Sequence, residues 1–143
     1  WFLSGRAELS TAERPEAHDA VSGFPLLAEG RRLDAYPAFL EPDRRHPRVA
    51  AGLAEGGRVL WLLVVDGRQP LYSLGLDVPE VAAVLLERGV EDALLLDGGG
   101  SATLVRRTAS GAVEHLNTPV HGRLPPGIER PVANHLGLVW SRK

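Results

Sequence analysis

The sequence of 143 residues has neither cysteine nor methionine. Without thiols there are no disulfides, no thiolate-bound metal and no cysteine nucleophile. The compartment stays open, because exported proteins can also lack cysteine. With methionine absent and Trp1 at the start, the chain is expected to be a processed or truncated piece, and a signal peptide upstream would go unseen. Lysine occurs once, at Lys143, so the basic residues are almost all arginine. The net charge of -2 is too small for a general electrostatic grip on nucleic acid or on an anionic membrane. The longest apolar run, Val59 to Val65, has strand length and cannot span a bilayer. Internal repeats and low-complexity tracts are missing too.

Hydrophobic residues make up 44% and charged residues 24%. That balance suits one folded domain over residues 1–143. The first twenty residues give little: Trp1-Phe2-Leu3 can end a strand, and Ser10 to Asp19 reads as a loop. Val21 to Leu27 is apolar but broken by Gly23 and Pro25, which predicts an edge strand or a buried turn. Residues 34–47 hold three prolines and many charges, and read as a surface loop. Arg58 to Val65 reads as a strand buried on both faces. Asp77 caps a helix over 78–88, Glu80 completes a capping box, and Gly89 stops it. Ala93 to Leu96 is the next strand. Ala102 to Val105 and Ala112 to Leu116 form a hairpin around Ala109-Ser110-Gly111. A Pro/Gly-rich loop runs from Thr118 to Glu129, and Val132 to Val139 supplies a last strand. The fold class is α/β (mixed α+β): a twisted mixed sheet with a β-α-β unit and a C-terminal hairpin.

Strand, helix and strand over 58–96 form a right-handed crossover, which makes the two strands parallel. Their C-terminal ends then share one edge of the sheet, and both end in Asp-Gly: Asp66-Gly67 and Asp97-Gly98. Ligands of α/β sheets bind beyond such ends. Gly98, Gly99 and Gly100 permit positive φ and close approach to the backbone, and their amides with the Ser101 hydroxyl can cradle an anion. A tight turn between strands is the plainer alternative, but three glycines are more than a turn needs. Arg68, just after Asp66-Gly67, can hold a phosphate or carboxylate bidentately; as one of many arginines it can equally be a surface residue paired with an acid. Arg48 and Arg130 carry the same two readings. Asn134 interrupts an apolar stretch and is either a structural bracket or a ligand contact. The histidines show no metal-binding spacing. Neither a P-loop lysine nor a Gly-x-Ser-x-Gly elbow occurs.

Read in order, Val64-Val65-Asp66-Gly67-Arg68-Gln69-Pro70, Tyr72-Ser73-x-Gly75-Leu76 and Leu96-Asp97-Gly98-Gly99-Gly100-Ser101 resemble the phosphodiester glycosidase family. That family includes N-acetylglucosamine-1-phosphodiester α-N-acetylglucosaminidases and exopolysaccharide-related bacterial proteins. Gly23-x-Pro25-Leu26-Leu27-x-x-Gly30 is similar to its Gly-Gly-Pro-Leu-Leu segment, with Phe24 for a small residue. Pro47-Arg48-Val49-Ala50-Ala51-Gly52 matches its Pro-Arg-Thr-Ala-x-Gly, with Val49 for threonine. Glu129-Arg130-Pro131-Val132-Ala133-Asn134 matches its closing segment. The family domain has a further N-terminal part. The resemblance therefore implies either the C-terminal portion of that domain, completed by a missing segment or by a partner chain, or a compact relative that works without it.

The resemblance implies hydrolysis of a sugar-1-phosphodiester, or of a polysaccharide carrying one, at the glycosidic bond. On that reading Arg68 and the Gly98–Ser101 amides hold the phosphate, Arg48 and Arg130 assist, and Asn134 contacts the ligand. Asp97 is the nucleophile or base, and Asp66 orients it or shares the acid/base role. Carboxyls about 5 Å apart imply retention, and a gap of about 6.5–9.5 Å implies inversion. No cofactor is expected. One alternative makes Asp66 and Asp97 ligands of Mg²⁺ or Ca²⁺ for cleavage at phosphorus. Another is a carbohydrate- or anion-binding module without turnover. The expected location is secreted or in the cell envelope of a bacterium, with no nucleic-acid partner.

Overall fold

A computed structural model describes residues 2–3, 6–10, 19–122, 125–133 and 135–139. The strands are β1 (Phe2–Leu3), β2 (Arg6–Ala7), β3 (Phe24–Ala28), β4 (Arg31–Arg32), β5 (Arg48–Ala54) and β6 (Val59–Val65). Helix α1 (Val78–Leu86) follows, then β7 (Asp92–Leu95), β8 (Val105–Arg107) and β9 (Val113–His115). A five-stranded sheet has the order β4-β3-β7-β5-β6, while β1-β2 and β8-β9 form separate two-stranded ribbons. The mixed α+β class holds, and so does the C-terminal hairpin.

The β-α-β unit is wider than the sequence suggests. β6 and β7 do run in the same direction, but they are not neighbours: β5 lies between them, antiparallel to both. All the neighbouring pairs in this sheet are antiparallel. β5 escapes sequence reading because Ala50, Ala51 and Gly52 carry little strand propensity. Those small residues let it fit between strands and beneath a helix. Gly52 is needed there, since a Cβ would come within 2.5 Å of the Val90 side chain.

Further expectations change for similar reasons. β6 is not buried on both faces; it is the last strand of the sheet and is half-buried throughout. Its continuous apolar run reflects two apolar faces rather than a central position. Trp61 and Leu63 pack on the core, while Leu60 shares a small apolar pocket on the opposite face with Ala51, Leu94 and Leu136. β3 is not a plain edge strand. It pairs with β7 on one side, and Leu27 and Ala28 pair with β4 on the other. Pro25 is tolerated at a register shift, where the ladder is already broken. The described residues of 132–139 form no strand, and Val132, Leu138 and Val139 are exposed. The Ser10–Asp19 loop lies mostly outside the described residues.

Helix α1 follows its sequence closely. The Asp77 side chain accepts from the Glu80 amide at 2.7 Å, and the Glu80 side chain accepts from the Asp77 amide at 3.0 Å. Val78, Val81, Ala82 and Leu85 are spaced along one face and buried against Leu26, Ala50, Val90, Ala93 and Leu95. Each fully buried Val or Leu contributes about 1.5–3 kcal/mol, so this face holds the helix on the sheet. Asp77→Ala should lower stability by about 1 kcal/mol and leave ligand binding unchanged. Urea unfolding beside a binding titration checks both halves. Among the described residues, no helix is long and apolar enough to cross a membrane.

Candidate active site

The two Asp-Gly turns do emerge at one sheet edge, on either side of the start of β5. Val65 pairs with Arg48, and the Leu96 amide donates to the Val49 carbonyl at 2.8 Å. The His46-Pro47 backbone therefore runs between them. A Cβ on Gly67 would stand 2.6 Å from the Pro47 nitrogen, and one on Gly98 2.7 Å from the Pro47 carbonyl oxygen. These two glycines are fixed by close approach of backbone to backbone.

A cleft of about 680 Å³ opens at this edge. Asp97, Gly98, Gly99, Gly100, Arg48, Arg68 and Arg130 line it. Gly99 has φ +56° and donates its amide to the Pro47 carbonyl at 2.8 Å. The Ser101 amide turns back to the Gly98 carbonyl at 3.0 Å. Of the anion cradle expected from Gly98 to Ser101, two amides are thus bonded within the protein, while those of Gly98 and Gly100 have no carbonyl partner among the described residues. The Arg68 guanidinium lies over Gly99, and the Arg130 side chain over Gly100. Bare backbone lets both arginines come down onto the turn.

Asp97 is largely exposed in the cleft. Its Oδ2 accepts from the Ser101 hydroxyl at 2.6 Å and from Arg130 Nη2 at 3.3 Å. Arg130 Nε also donates to the Ser101 hydroxyl at 3.1 Å. Carboxylate, hydroxyl and guanidinium form one group at the turn.

Asp66 is placed differently. Its Oδ1 accepts from Asn117 Nδ2 at 3.0 Å and from the Thr118 amide at 2.9 Å, and its Oδ2 from the Tyr72 hydroxyl at 3.0 Å. Its carbonyl accepts from Ser73 Oγ at 2.6 Å. The side chain ties the 66–76 loop to the segment after β9 and is not among the cleft-lining residues. Asn134 lies outside the described residues.

Arg48 reaches the cleft but is almost fully buried, and it donates to the carbonyls of Leu76, Leu40, Glu41 and Arg44 at 2.8–3.2 Å. Burial pulls its pKa down, with the Arg68 charge acting in the same direction and Glu41 opposing. It braces the 40–44 turn, an irregular stretch that has no sheet ladder of its own. Arg48→Met keeps the bulk of the side chain but strands those carbonyls. Stability should fall by about 3 kcal/mol, read as a lower urea midpoint at unchanged m-value.

His46 is the residue that sequence reading missed. Its Nδ1 accepts from Arg68 Nε at 3.1 Å, and its Nε2 bonds Glu41 Oε2 at 2.7 Å. Accepting at Nδ1 leaves the proton on Nε2, so the ring is neutral and donates to Glu41. Arg68 itself has φ +56°, a left-handed backbone that costs a non-glycine residue on the order of 1 kcal/mol. The Glu41–His46–Arg68 chain holds the guanidinium in place. No spacing rule points to it, because the contact depends on β5 starting between the two turns.

Burial is the main cause that pulls the His46 pKa below its ordinary 6.5; Arg68 and Arg48 add to this, and the Glu41 bond opposes it. Protonation is therefore easier in the unfolded chain. The stability this group contributes is complete above pH 6.5 and is lost as pH falls towards the folded value. Glu41 is pulled below its ordinary 4.5, first by its bond to His46, so its own loss comes at lower pH. His46→Gln should flatten the drop in unfolding free energy between about pH 7 and pH 5. Parallel urea titrations across that range check it.

Among the described residues, no three His, Asp or Glu side chains gather in a metal-binding group. A family model described as phosphodiester glycosidase matches residues 4–139. The catalytic domain of zebrafish N-acetylglucosamine-1-phosphodiester α-N-acetylglucosaminidase, auto-inhibited by its pro-peptide, superposes with a TM-score of 0.55 at 27% identity. The match covers 69% of this chain and 34% of that one. A candidate exported protein of Burkholderia pseudomallei gives a TM-score of 0.48 at 38% identity, over 59% of this chain and 15% of its own. YomE, a prophage-derived uncharacterized protein of Bacillus subtilis, is 32% identical over 100 residues, which is 67% of this chain and 13% of YomE. The chain thus spans a minor part of each of these relatives.

Proposed function

The chain belongs to the phosphodiester glycosidase family, and from that premise we propose that its cleft hydrolyses a sugar-1-phosphodiester at the glycosidic bond, releasing sugar and a phosphomonoester. The observation that carries the reading is one cleft holding an exposed carboxylate, Asp97, together with the Arg68 and Arg130 guanidinium groups on a glycine turn. Guanidinium groups and the amides of Gly98 and Gly100 suit a phosphodiester anion. Asp97 is then the group that acts at the anomeric carbon, as nucleophile or as base for water. Phosphate is a good leaving group, so strong acid assistance is less necessary than for an alkyl glycoside.

In this account Asp66 is a positioning residue. Its bonds to Tyr72, Asn117 and Thr118 fix the loop that presents Arg68. Arg48 supports the wall opposite, and Arg130 keeps Asp97 in place until substrate arrives. The proposal extends to a bacterial envelope or secreted location, and to a segment or partner chain completing the domain. The test is product analysis with a synthetic sugar-1-phosphodiester. Free sugar with phosphomonoester is the expected result and puts the cut on the sugar side of phosphorus. Sugar phosphate with free alcohol, or binding without products, overturns the reading.

A further inference from the structure

The sheet register sets an order across the cleft. Phe24, the first residue of β3, stands opposite Leu95 of β7. A Cβ on Gly23 would lie 2.6 Å from the Leu95 carbonyl oxygen and 2.9 Å from the Leu96 side chain. The chain entering β3 therefore runs beside the last residues before Asp97. On the other flank of β7, Leu95 pairs with Ala50 of β5. The turn after Asp97 leans to that flank: the Gly99 amide donates to the Pro47 carbonyl, and the Arg68 guanidinium lies over Gly99. Phe24 and Arg68 thus stand on opposite sides of Asp97.

The chemistry assigned to Asp97 and Arg68 leaves the Phe24 side unused. Phe24 meets Phe39, from the 3₁₀ turn Ala38–Leu40, edge to face with ring centroids 5.0 Å apart, and both rings line the cleft. They remain 40% and 69% exposed, so neither is spent on the core. The contact between them sets the tilt of each ring before any ligand arrives.

A sugar-1-phosphodiester has its parts in the same order. Phosphate oxygen and sugar ring lie on either side of the anomeric carbon. With phosphate on Arg68 and the anomeric carbon at Asp97, the ring extends towards Phe24. A pyranose is amphipathic: hydroxyl groups radiate from its rim, while its faces carry C–H groups. A phenyl ring can cover one such face and leave the rim hydroxyls to water or to Ser22, which lines the same wall. We infer that Phe24, held by Phe39, is the platform of the sugar subsite, and that the sugar is a pyranose stacked on it. This rests on the proposed roles of Arg68 and Asp97.

The test compares dimethyl phosphate with the C-glycosidic phosphonate methyl esters of glucose, galactose, mannose and N-acetylglucosamine. All carry the same charge, and none can be hydrolysed at the anomeric carbon. Each is titrated into the full chain by NMR. At least one sugar phosphonate should bind about 10-fold more tightly than dimethyl phosphate. Its ring C–H protons should receive saturation from aromatic protons of the protein, and lose it when the phenylalanine rings are deuterated. Phe24→Leu, shown to be folded, keeps apolar bulk without the flat face. It should bring the sugar preference below about 3-fold and leave dimethyl phosphate affinity unchanged. No preference for any of these sugars, a preference that survives Phe24→Leu, or saturation that persists with deuterated rings overturns the platform. A separate arm isolates the clamp: if Arg68→Ala binds dimethyl phosphate as well as the parent does, the phosphate reading fails, whatever Phe24 does.

Discussion

Asp97→Asn is expected to lower kcat on a sugar-1-phosphodiester by at least about 100-fold, the lower end of what a positioned acid or base contributes. The substitution keeps the size of the side chain and can still accept from Ser101 and Arg130. What disappears is the negative charge that would attack the anomeric carbon or take a proton from water. Affinity for a non-hydrolysable sugar phosphonate should hold or rise, because a like charge beside the anion has gone. Since Asp97 is exposed, stability should change little. Loss of turnover with intact binding and folding is the signature of a group used in the chemical step. Asp66→Asn gives the contrast, because it weakens the half-buried junction with Asn117 and Thr118 and should cost stability first.

Arg68→Ala should do the opposite. It removes a charge-assisted contact to phosphate, and phosphonate affinity should fall by roughly 1.5–3 kcal/mol, with a smaller effect on kcat. Arg68→Lys should recover only part of this. An ammonium cannot reproduce the planar fork, and it cannot also donate to His46 Nδ1 in the same geometry. Isothermal titration of the three proteins, each shown to be folded, makes the comparison.

The residues that announce themselves in the sequence act through local chemistry. The Asp77–Glu80 capping box needs only four consecutive residues, and it forms as read. The same-edge placement of Asp66 and Asp97 was legible because helix α1 forces its flanking strands to run the same way. β5 was not legible, as Ala50-Ala51-Gly52 shows no strand pattern until neighbours press on both sides of it. With β5 hidden, so was everything its start organises: the packing of Gly67 and Gly98 on Pro47, the bracing role of Arg48, and the Glu41–His46–Arg68 chain. Asp66 illustrates the remaining ambiguity. Asp-Gly at a strand end is equally good sequence for a ligand carboxylate and for a loop anchor, and only its bonds to Asn117 and Thr118, some fifty residues away, separate the two. The apolar run of 132–139 shows the converse: hydrophobic periodicity makes a strand only where a partner edge is available.

The central claim is that water attacks carbon and not phosphorus. Products alone leave this open, since breaking either bond of the sugar–oxygen–phosphorus link yields the same sugar and phosphomonoester. Hydrolysis in ¹⁸O-water separates them. Attack at the anomeric carbon leaves the bridging oxygen on phosphate, so the phosphomonoester should contain no ¹⁸O, and the sugar, trapped by immediate reduction, should contain the label. A phosphomonoester carrying ¹⁸O would mean attack at phosphorus and would contradict the account.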